Sequence, residues 1–209
     1  MESAAQIDAI ASAVNQLEGG SRRKLIAIAG PPASGKSTLA ISVQARLTDQ
    51  GLPCGFVPMD GFHLDNATLE ERGLLHRKGA PETFNVAGFK ALLERLMNNE
   101  TVQVPHFDRA KDCVVNNAEL ITSNQRHVVV EGNYLLLNSG LWLQLAPLWS
   151  FKVFLEPPLQ VLEKRLISRW VENGLKLQDA LRRARENDIP NALLTLRDSN
   201  KANADLLLD

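Results

Sequence analysis

A glycine-rich stretch near the start of the chain has the residue types and spacing of a phosphate-binding loop. The string "GPPASGKS" matches the pattern G-x-x-x-x-G-K-[ST], comes after an apolar run and precedes a helical pattern. The two glycines allow amide N–H groups to surround phosphates, the lysine can bridge the β and γ oxygens, and the serine can ligate Mg²⁺. Lys36 is also a predicted catalytic residue, and the predicted nucleotide-binding residues are Gly30, Pro31, Pro32, Ala33, Ser34, Gly35, Lys36, Ser37 and Thr38.

Two carboxylates stand at the ends of other apolar runs. Glu131 ends "VVVE" and can hold Mg²⁺ through water or polarise an attacking group; the alternative is a solvated strand terminus. Asp60 ends "VPMD" and can orient a substrate hydroxyl and accept its proton; the alternative is an ordinary turn with Gly61. The predicted metal ligands are therefore Ser37, Glu131 and Asp60, with Asp60 also the predicted catalytic base.

A pair of arginines supplies the positive charge that phosphoryl transfer needs. Arg165 and Arg169 lie four residues apart, so they share one face of a predicted helix. Arginines in such a position can neutralise the charge on a transferring phosphoryl group, and the alternative is a solvated basic face beside nearby glutamates. Three further arginines are interpreted as surface residues: Arg182, Arg183 and Arg185.

Alternating strand and helix patterns must position these residues. The runs "KLIAIAG", "CGFVPMD", "HVVVEG" and "SFKVFLE" are typical of strands covered on both faces, as in a parallel sheet. Helical patterns begin after Asn85 and after the Pro157-Pro158 pair, and "ADLLLD" has the character of a final strand. The alternation predicts an α/β fold, a three-layer α/β/α P-loop NTPase with a mostly parallel, doubly wound sheet and a helical lid.

The chain is long enough for one domain, which we expect to span residues 1–209. Residues 1–20 are predicted to form a leading helix that ends at Gly19 and Gly20. Residues 60–85 and 102–121 are predicted to form substrate-side loops and a hairpin or flap, because loops at the carboxyl ends of parallel strands line the binding crevice. Residues 159–190 are the predicted helical lid region.

Composition restricts the partners and the compartment. The net charge is −1 with no strongly basic block, so we predict no nucleic-acid partner. The start of the chain does not resemble a signal peptide, and the most apolar stretch is interrupted before it reaches the length of a membrane span. We therefore predict no membrane insertion and a cytoplasmic location. Cys54 and Cys113 fit no metal or redox spacing and are interpreted as free thiols.

Several classes of phosphate-loop protein are disfavoured by the residues beyond the loop. A GTPase switch reads guanine with N-K-x-D, and the nearest string, "NKAN", lacks the carboxylate. A transporter-type ATPase carries a second glycine-rich signature, which this sequence lacks. A small-molecule kinase remains as the main hypothesis. Its rival is a nucleotide-binding regulatory ATPase of a transport system, which would phosphorylate nothing small.

The motifs "GPPASGKST", "MDGFH", "KGAPETFN", "PHFD", "VVVEGNYLL" and "EPPLQVLEKRLISRW" occur in this order between Leu25 and Asp209. In this the chain resembles the uridine kinase, pantothenate kinase and phosphoribulokinase-like group of P-loop kinases, and most of all its fructose transport system kinase branch. The resemblance implies ATP and Mg²⁺ as cofactors. It also implies that Asp60 is the catalytic aspartate, Glu131 the strand-end acid, and Arg165 with Arg169 the R-x-x-x-R of the lid.

Departures from the family pattern concern the phosphate acceptor. Uridine kinases carry Asp where this chain has Gly79, and Tyr and His where it has Phe107 and Asp112, so a uridine pocket is disfavoured. Pantothenate kinases are usually longer than this chain. We therefore expect the phosphate acceptor to be a compact polyol such as a sugar, and pantothenate and a nucleoside stay as alternative acceptors. The predicted hydroxyl contacts are His63, Arg77, Lys78, Asp108 and Arg109. A homodimer is the expected assembly.

Overall fold

The structure is a computed structural model that describes residues 4–17 and 20–209. This part of the chain contains strands β1 (Lys24–Ala29), β2 (Cys54–Pro58), β3 (Val102–Asp108), β4 (Cys113–Ile121), β5 (His127–Gly132), β6 (Phe151–Leu155) and β7 (Leu206–Leu208). Its helices are α1 (Ala4–Asn15), α2 (Lys36–Asp49), α3 (Asn66–Glu71), α4 (Val86–Met97), α5 (Leu159–Glu172), α6 (Leu177–Arg183) and α7 (Ile189–Asp198).

Five parallel strands form the main sheet in the order β2-β5-β1-β6-β7. Side chains of the central strand β1 alternate between two apolar clusters, so that Leu25 and Ala27 pack on one face while Ile26 and Ile28 pack on the other. Helix α4 covers the first face, and α1 and α2 cover the second. The predicted α/β fold with a mostly parallel sheet between helices is confirmed.

The predicted leading helix is shorter than expected. Helix α1 ends at Asn15, and Gln16 and Leu17 form a turn. Residues 1–3 and 18–19 lie outside the described part of the chain, and these include Gly19, one of the two predicted helix terminators. None of the described helices has both the length and the apolar character needed to cross a membrane.

Strands β3 and β4 form a separate antiparallel hairpin beside the main sheet, as the sequence predicts for this region. The register shifts between Val104 and His106, and almost every residue of β4 is exposed. The short 3₁₀ turn Met59–Phe62 that comes after β2 packs against both β3 and β4, and α4 also contacts β3. The hairpin therefore stands at the carboxyl edge of the sheet, over the end of β2.

The segment after β6 is mostly helical across the predicted lid region, with a break at residues 173–176 between α5 and α6. Helix α5 begins after Pro158 and buries Leu162 and Leu166. Helices α6 and α7 are joined without a break by a π-helical turn, Ala184–Asp188. Such turns occur mostly where a helix must change the direction of its side chains, and they are frequent at functional sites.

Arg23, which precedes β1, is buried and is tied entirely to backbone oxygens. Its guanidinium donates hydrogen bonds to the carbonyl groups of Gln125 (2.7 Å), Leu96 (2.9 Å), Glu100 (3.0 Å) and Thr122 (2.8 Å). These acceptors lie at the end of α4, just after it, and in the turn before β5. Arg23 thus ties the end of α4 and the turn before β5 to the start of the central strand.

We predict that Arg23→Met lowers the free energy of unfolding by about 3 kcal/mol or more, because buried carbonyl groups lose a charged donor. Urea denaturation followed by circular dichroism would measure the change. The control is Arg22→Met, which alters the exposed neighbouring side chain and is expected to change stability by less than about 0.5 kcal/mol. Similar losses in both variants would contradict this role for Arg23.

Candidate active site

The predicted phosphate loop connects β1 to α2 by a backbone path that only small residues permit. A Cβ atom added to Gly30 would lie 2.9 Å from the carbonyl oxygen of Leu155 on β6. Gly35 adopts φ 97° and Ala33 adopts φ 63°, both in the left-handed region. No side chain caps the start of α2. Its first amide groups are therefore available to an anion, and the helix dipole favours negative charge there.

Lys36, the first residue of α2, points into the molecule and is only 9% exposed. Burial lowers the pKa of its ammonium group, while the carboxylates of Glu131 and Asp60 oppose that shift. A phosphate group bound at the loop would place a negative charge beside the ammonium group and so compensate for the burial of its positive charge. Lys36 is thus placed to contact a nucleotide's terminal phosphates.

Glu131 and Ser37 meet at the edge of the sheet beside the loop. The Ser37 hydroxyl donates to Glu131 Oε2 over 3.1 Å, and the glutamate is 5% exposed. Burial raises the pKa of Glu131, and the charge of Lys36 opposes this rise. The carboxylate thus lies where a cation would compensate for its burial.

The described residues include no cluster of three His, Cys, Asp or Glu side chains that could hold a metal ion alone. Mg²⁺ in a kinase keeps water molecules and takes phosphate oxygens, so it needs few protein ligands. Ser37 and the buried carboxylate of Glu131 are hard oxygen donors beside the phosphate loop and fit that requirement. Asp60 is a third oxygen donor whose charge reaches both Lys36 and Glu131.

Asp60 lies in the 3₁₀ turn after β2 and is 24% exposed in its side chain. The parallel register pairs Pro58 with Glu131, so Asp60 projects from the same edge two residues further on. The next residue is glycine because the hairpin packs directly on it. A Cβ atom on Gly61 would lie 2.3 Å from the carbonyl oxygen of Pro105.

Helix α5 presents its two predicted lid arginines to the phosphate loop. Arg165 Nη1 donates to the carbonyl oxygens of Ala33 (3.2 Å) and Ser34 (3.3 Å). Arg169 is mostly buried, and this burial lowers the pKa of its guanidinium against the opposing effect of Asp188. The shared face of this helix is therefore turned toward the loop, with Arg165 exposed and Arg169 partly buried.

Two cavities meet at these residues. The larger, about 700 Å³, runs along the phosphate loop between α5 and the end of β7. The smaller, about 150 Å³, lies between the loop, the hairpin and the π turn. The described residues that line both are Lys36, Ser37, Arg109 and Arg169. Asp60 and Glu131 line the smaller cavity, so the predicted base faces the smaller space beside this junction.

Three of the five predicted acceptor contacts line the smaller cavity: His63, Lys78 and Arg109. The His63 ring lies between Phe84 and Phe107, and burial lowers its pKa, which favours the neutral imidazole. Nδ1 lies 2.8 Å from the carbonyl oxygen of Asp60 and must donate to it, because a carbonyl only accepts. The other ring nitrogen, Nε2, is therefore a hydrogen-bond acceptor.

The structure places the other two, Arg77 and Asp108, outside the cavity lining. The Arg77 guanidinium donates to the side-chain oxygens of Asn187 (3.2 Å) and Asn191 (3.3 Å), which ties the loop before Lys78 to the π turn and α7. The Asp108 carboxylate accepts from the amide groups of the two residues after Arg109, at 3.0 Å each. Arg77 thus links two distant segments, whereas Asp108 holds the backbone of its own turn in place.

Sequence reasoning missed several lining residues on the helical segment. The interpretation of Arg183 as a surface residue is wrong, because its guanidinium stacks over the Trp170 ring at 5.3 Å and lines the smaller cavity. Asp188 accepts a hydrogen bond from Trp170 Nε1 and lines the same space. Asn133 and Asn191 are further missed lining residues. The one available signal was the polar run "ENDIPN" within a helical pattern, and the π turn that directs it inward has no sequence signature.

We predict that Glu131→Gln weakens the binding of ADP about tenfold in the presence of Mg²⁺, because we expect its carboxylate, bonded to Ser37, to help hold the ion. Binding in the presence of EDTA should change little. Isothermal titration calorimetry under both conditions would measure this, with Glu94→Gln on the exposed face of α4 as the control. An equal loss with and without Mg²⁺ would contradict the predicted metal role.

The comparisons with known proteins identify relatives of the whole chain. No protein-family model matches the chain. The "Uncharacterized protein YggC" of Escherichia coli (strain K12) is 39% identical over 184 residues, which cover 87% of this chain and 76% of that protein. The "Putative uridine kinase C227.14" of Schizosaccharomyces pombe is 34% identical over 200 residues, which cover 90% of this chain and 83% of that protein.

A solved structure extends the match to the whole fold. The "putative fructose transport system kinase from Silicibacter sp. TM1040" superposes with a TM-score of 0.92 and 42% identity, covering 97% of this chain and 98% of that chain. The resemblance seen in the sequence motifs is confirmed by these matches and by pantothenate kinases among the relatives. The chain belongs to the uridine kinase, pantothenate kinase and phosphoribulokinase-like group of P-loop kinases, phosphotransferases with a hydroxyl acceptor.

Proposed function

We propose that this kinase transfers the γ-phosphoryl group of ATP, bound with Mg²⁺, to a hydroxyl group of a compact polyol, with a sugar such as fructose as the first candidate. The observation that carries the proposal is the position of Asp60. Its carboxylate faces a small polar cavity, and the residues of the phosphate loop separate that cavity from a large one suited to a nucleotide. We assign the larger space to the donor and the smaller one to the acceptor, with Asp60 in the smaller space beside the place where the two meet.

In the proposed mechanism the loop amides and Lys36 hold the phosphates, while Ser37 and Glu131 hold Mg²⁺, with Asp60 nearby. Mg²⁺ held by Ser37 and Glu131 would supply positive charge to offset that of the phosphates. Asp60 orients the acceptor hydroxyl and takes its proton as the oxygen forms a bond to the γ-phosphorus. The bond from that phosphorus to the β–γ bridging oxygen breaks, and ADP leaves with the electron pair.

The two lid arginines act on the charge that spreads over the transferring group. Arg169 lines both cavities, and Arg165 is bonded to the backbone of the phosphate loop. We propose that Arg169 contacts the transferring phosphoryl group and that Arg165 fixes the loop and its helix against each other. Arginine suits this role because its planar fork matches phosphate oxygens.

The size and polarity of the smaller cavity support a sugar. The smaller cavity, about 150 Å³, is compact beside the space of about 700 Å³ along the phosphate loop, and most of its lining side chains are polar or charged. Neutral His63 offers an acceptor at Nε2, which suits a hydroxyl donor. Gly79 lines the cavity without a carboxylate, at the place where the resemblance puts the ribose-binding aspartate of uridine kinases. The name of the Silicibacter relative also contains fructose.

We predict that ADP release from MgATP rises at least tenfold with one member of an acceptor panel, because acceptor binding completes the site at Asp60. The panel is fructose, other hexoses and pentoses, uridine and pantothenate, measured with a coupled assay. Selective stimulation by uridine or pantothenate would replace the sugar proposal. ADP release that no compound stimulates would favour the regulatory ATPase.

We predict that Asp60→Asn lowers kcat by about 100-fold or more, because the amide cannot take the hydroxyl proton. The dissociation constant for MgADP should stay within about threefold, since ADP lacks the phosphate nearest to Asp60. The control is Asp49→Asn at the exposed end of α2, which should leave both quantities unchanged. Unchanged turnover in Asp60→Asn would remove this residue from the mechanism.

Three broader expectations accompany this proposal. We propose a single kinase domain over residues 1–209 and the cytoplasm as its compartment, where an exposed thiol such as Cys113 stays reduced. A homodimer stays a prediction, to be measured by light scattering. The proposed partner is the small hydroxyl compound alone, without nucleic acid, consistent with the net charge of −1.

A further inference from the structure

The proposed base is held by an arginine that has no part in the mechanism above. Arg109 sits in the turn between β3 and β4, and its Nη2 donates to Asp60 Oδ2 over 2.7 Å. The Arg109 side chain is 64% exposed, so little packing fixes it in this position. A carboxylate bound in this way is poorly placed to take a proton from a substrate hydroxyl, because the guanidinium occupies one of its oxygens.

The turn that carries Arg109 is anchored on its other side. Lys78 Nζ contacts Asp112 Oδ1 at 2.8 Å and donates to the Asp112 carbonyl oxygen at 3.1 Å. Asn66 donates to Asp112 Oδ2 at 2.9 Å. The close contact of Gly61 with β3 holds the base of the hairpin as well. Arg109 can therefore change partner by side-chain rotation alone while the backbone stays in place.

Arg109 lies where the terminal phosphate of a nucleotide would arrive. It lines both cavities, together with Lys36, Ser37 and Arg169. Its charge acts on Lys36 and Arg169, lowering the pKa of each. Three cationic side chains thus converge on the junction, and in the described structure Arg109 has Asp60 as its ion-pair partner. A γ-phosphate would bring up to two negative charges to this position.

We propose that Arg109 is a catalytic residue that exchanges partners: it holds Asp60 in the nucleotide-free enzyme and moves to the γ-phosphoryl group of bound nucleotide. The exchange releases Asp60 for the acceptor hydroxyl only when a triphosphate is present. The role of Asp60 as base rests on the proposed function, whereas the partner exchange itself concerns nucleotide binding. Arg109 then contacts the transferring group from the hairpin side, opposite Arg169.

The energetics favour the exchange. An exposed arginine–carboxylate pair is weak and is screened by salt, so breaking it costs little. A guanidinium–phosphate contact offers two parallel charge-assisted hydrogen bonds to a group with more charge. Arg109 should therefore prefer the phosphate whenever it is present. ADP lacks the γ-phosphate and should leave the Arg109–Asp60 pair intact.

A cycle of four proteins tests this by nucleotide binding alone. The probes are MgADP and the Mg²⁺ complex of AMP-PNP, an ATP analogue with an imido group between the β and γ phosphorus atoms, titrated by calorimetry. Arg109→Ala should weaken AMP-PNP binding about tenfold and leave ADP binding within about twofold. Asp60→Asn should strengthen AMP-PNP binding about threefold to fivefold, because Arg109 no longer has a competing carboxylate.

The double variant, Asp60→Asn with Arg109→Ala, separates the exchange from general electrostatics. If Arg109 mediates the gain, Asp60→Asn gives no gain in the Arg109→Ala background, and any effect of Asp60 on Mg²⁺ binding is the same in both backgrounds. A gain that persists without Arg109 would overturn the proposal. An equal loss of ADP and AMP-PNP binding in Arg109→Ala would also overturn it, since the residue would then not recognise the γ-phosphate.

The hairpin supplies a matched control. Lys111 belongs to the same turn and carries the same charge, but it pairs with Asp108 and lies outside both cavity linings. Lys111→Ala should leave both dissociation constants within about twofold, because its charge is exposed to solvent. Arg109→Lys should recover part of the AMP-PNP affinity by restoring charge without the fork. These measurements need no acceptor, so failure of the acceptor panel leaves their interpretation unchanged.

Discussion

The parallel pairing of β2, β5 and β1 is the constraint on which the site depends. Glu131 pairs with Pro58 on one side and with Ile28 on the other, so the ends of the three strands coincide. The phosphate loop, the strand-end carboxylate and Asp60 therefore leave the sheet at one edge. A slip of one residue in β5 would turn Glu131 to the other face of the sheet and take it away from Ser37.

The charges at this edge are arranged for a ligand that carries many negative charges. Lys36 and Arg169 are buried enough for the pKa of each to fall, and Glu131 is buried enough for its pKa to rise. Burial of ionised groups costs free energy unless partners compensate for it. A phosphate group would compensate for the buried positive charges, and a divalent cation would compensate for the buried carboxylate. The site is thus preorganised at some cost to the stability of the empty protein.

Local patterns made the donor side of the site predictable. The phosphate loop, the strands and the carboxylates at their ends depend on short stretches whose spacing alone carries the geometry, and the predicted fold was confirmed. The acceptor side depends on contacts between distant segments. Arg109 meets Asp60 across 49 positions, and Arg77 meets Asn187 across 110. Asp188 lines the cavity from a π turn, which periodicity at 3.6 residues per turn cannot reveal.

The hairpin of β3 and β4 stands apart from the main sheet, and nearly all of β4 is solvent-exposed. Loops and appended hairpins tolerate changes in length and composition that core strands do not, because few buried contacts are lost. The phosphate loop is thus held by the fixed geometry of a packed sheet, whereas the hairpin beside the smaller cavity is free to vary in length and composition. Under the proposed function, changes in the hairpin that spare Arg109 would alter the acceptor while the packed sheet keeps the phosphate loop in place.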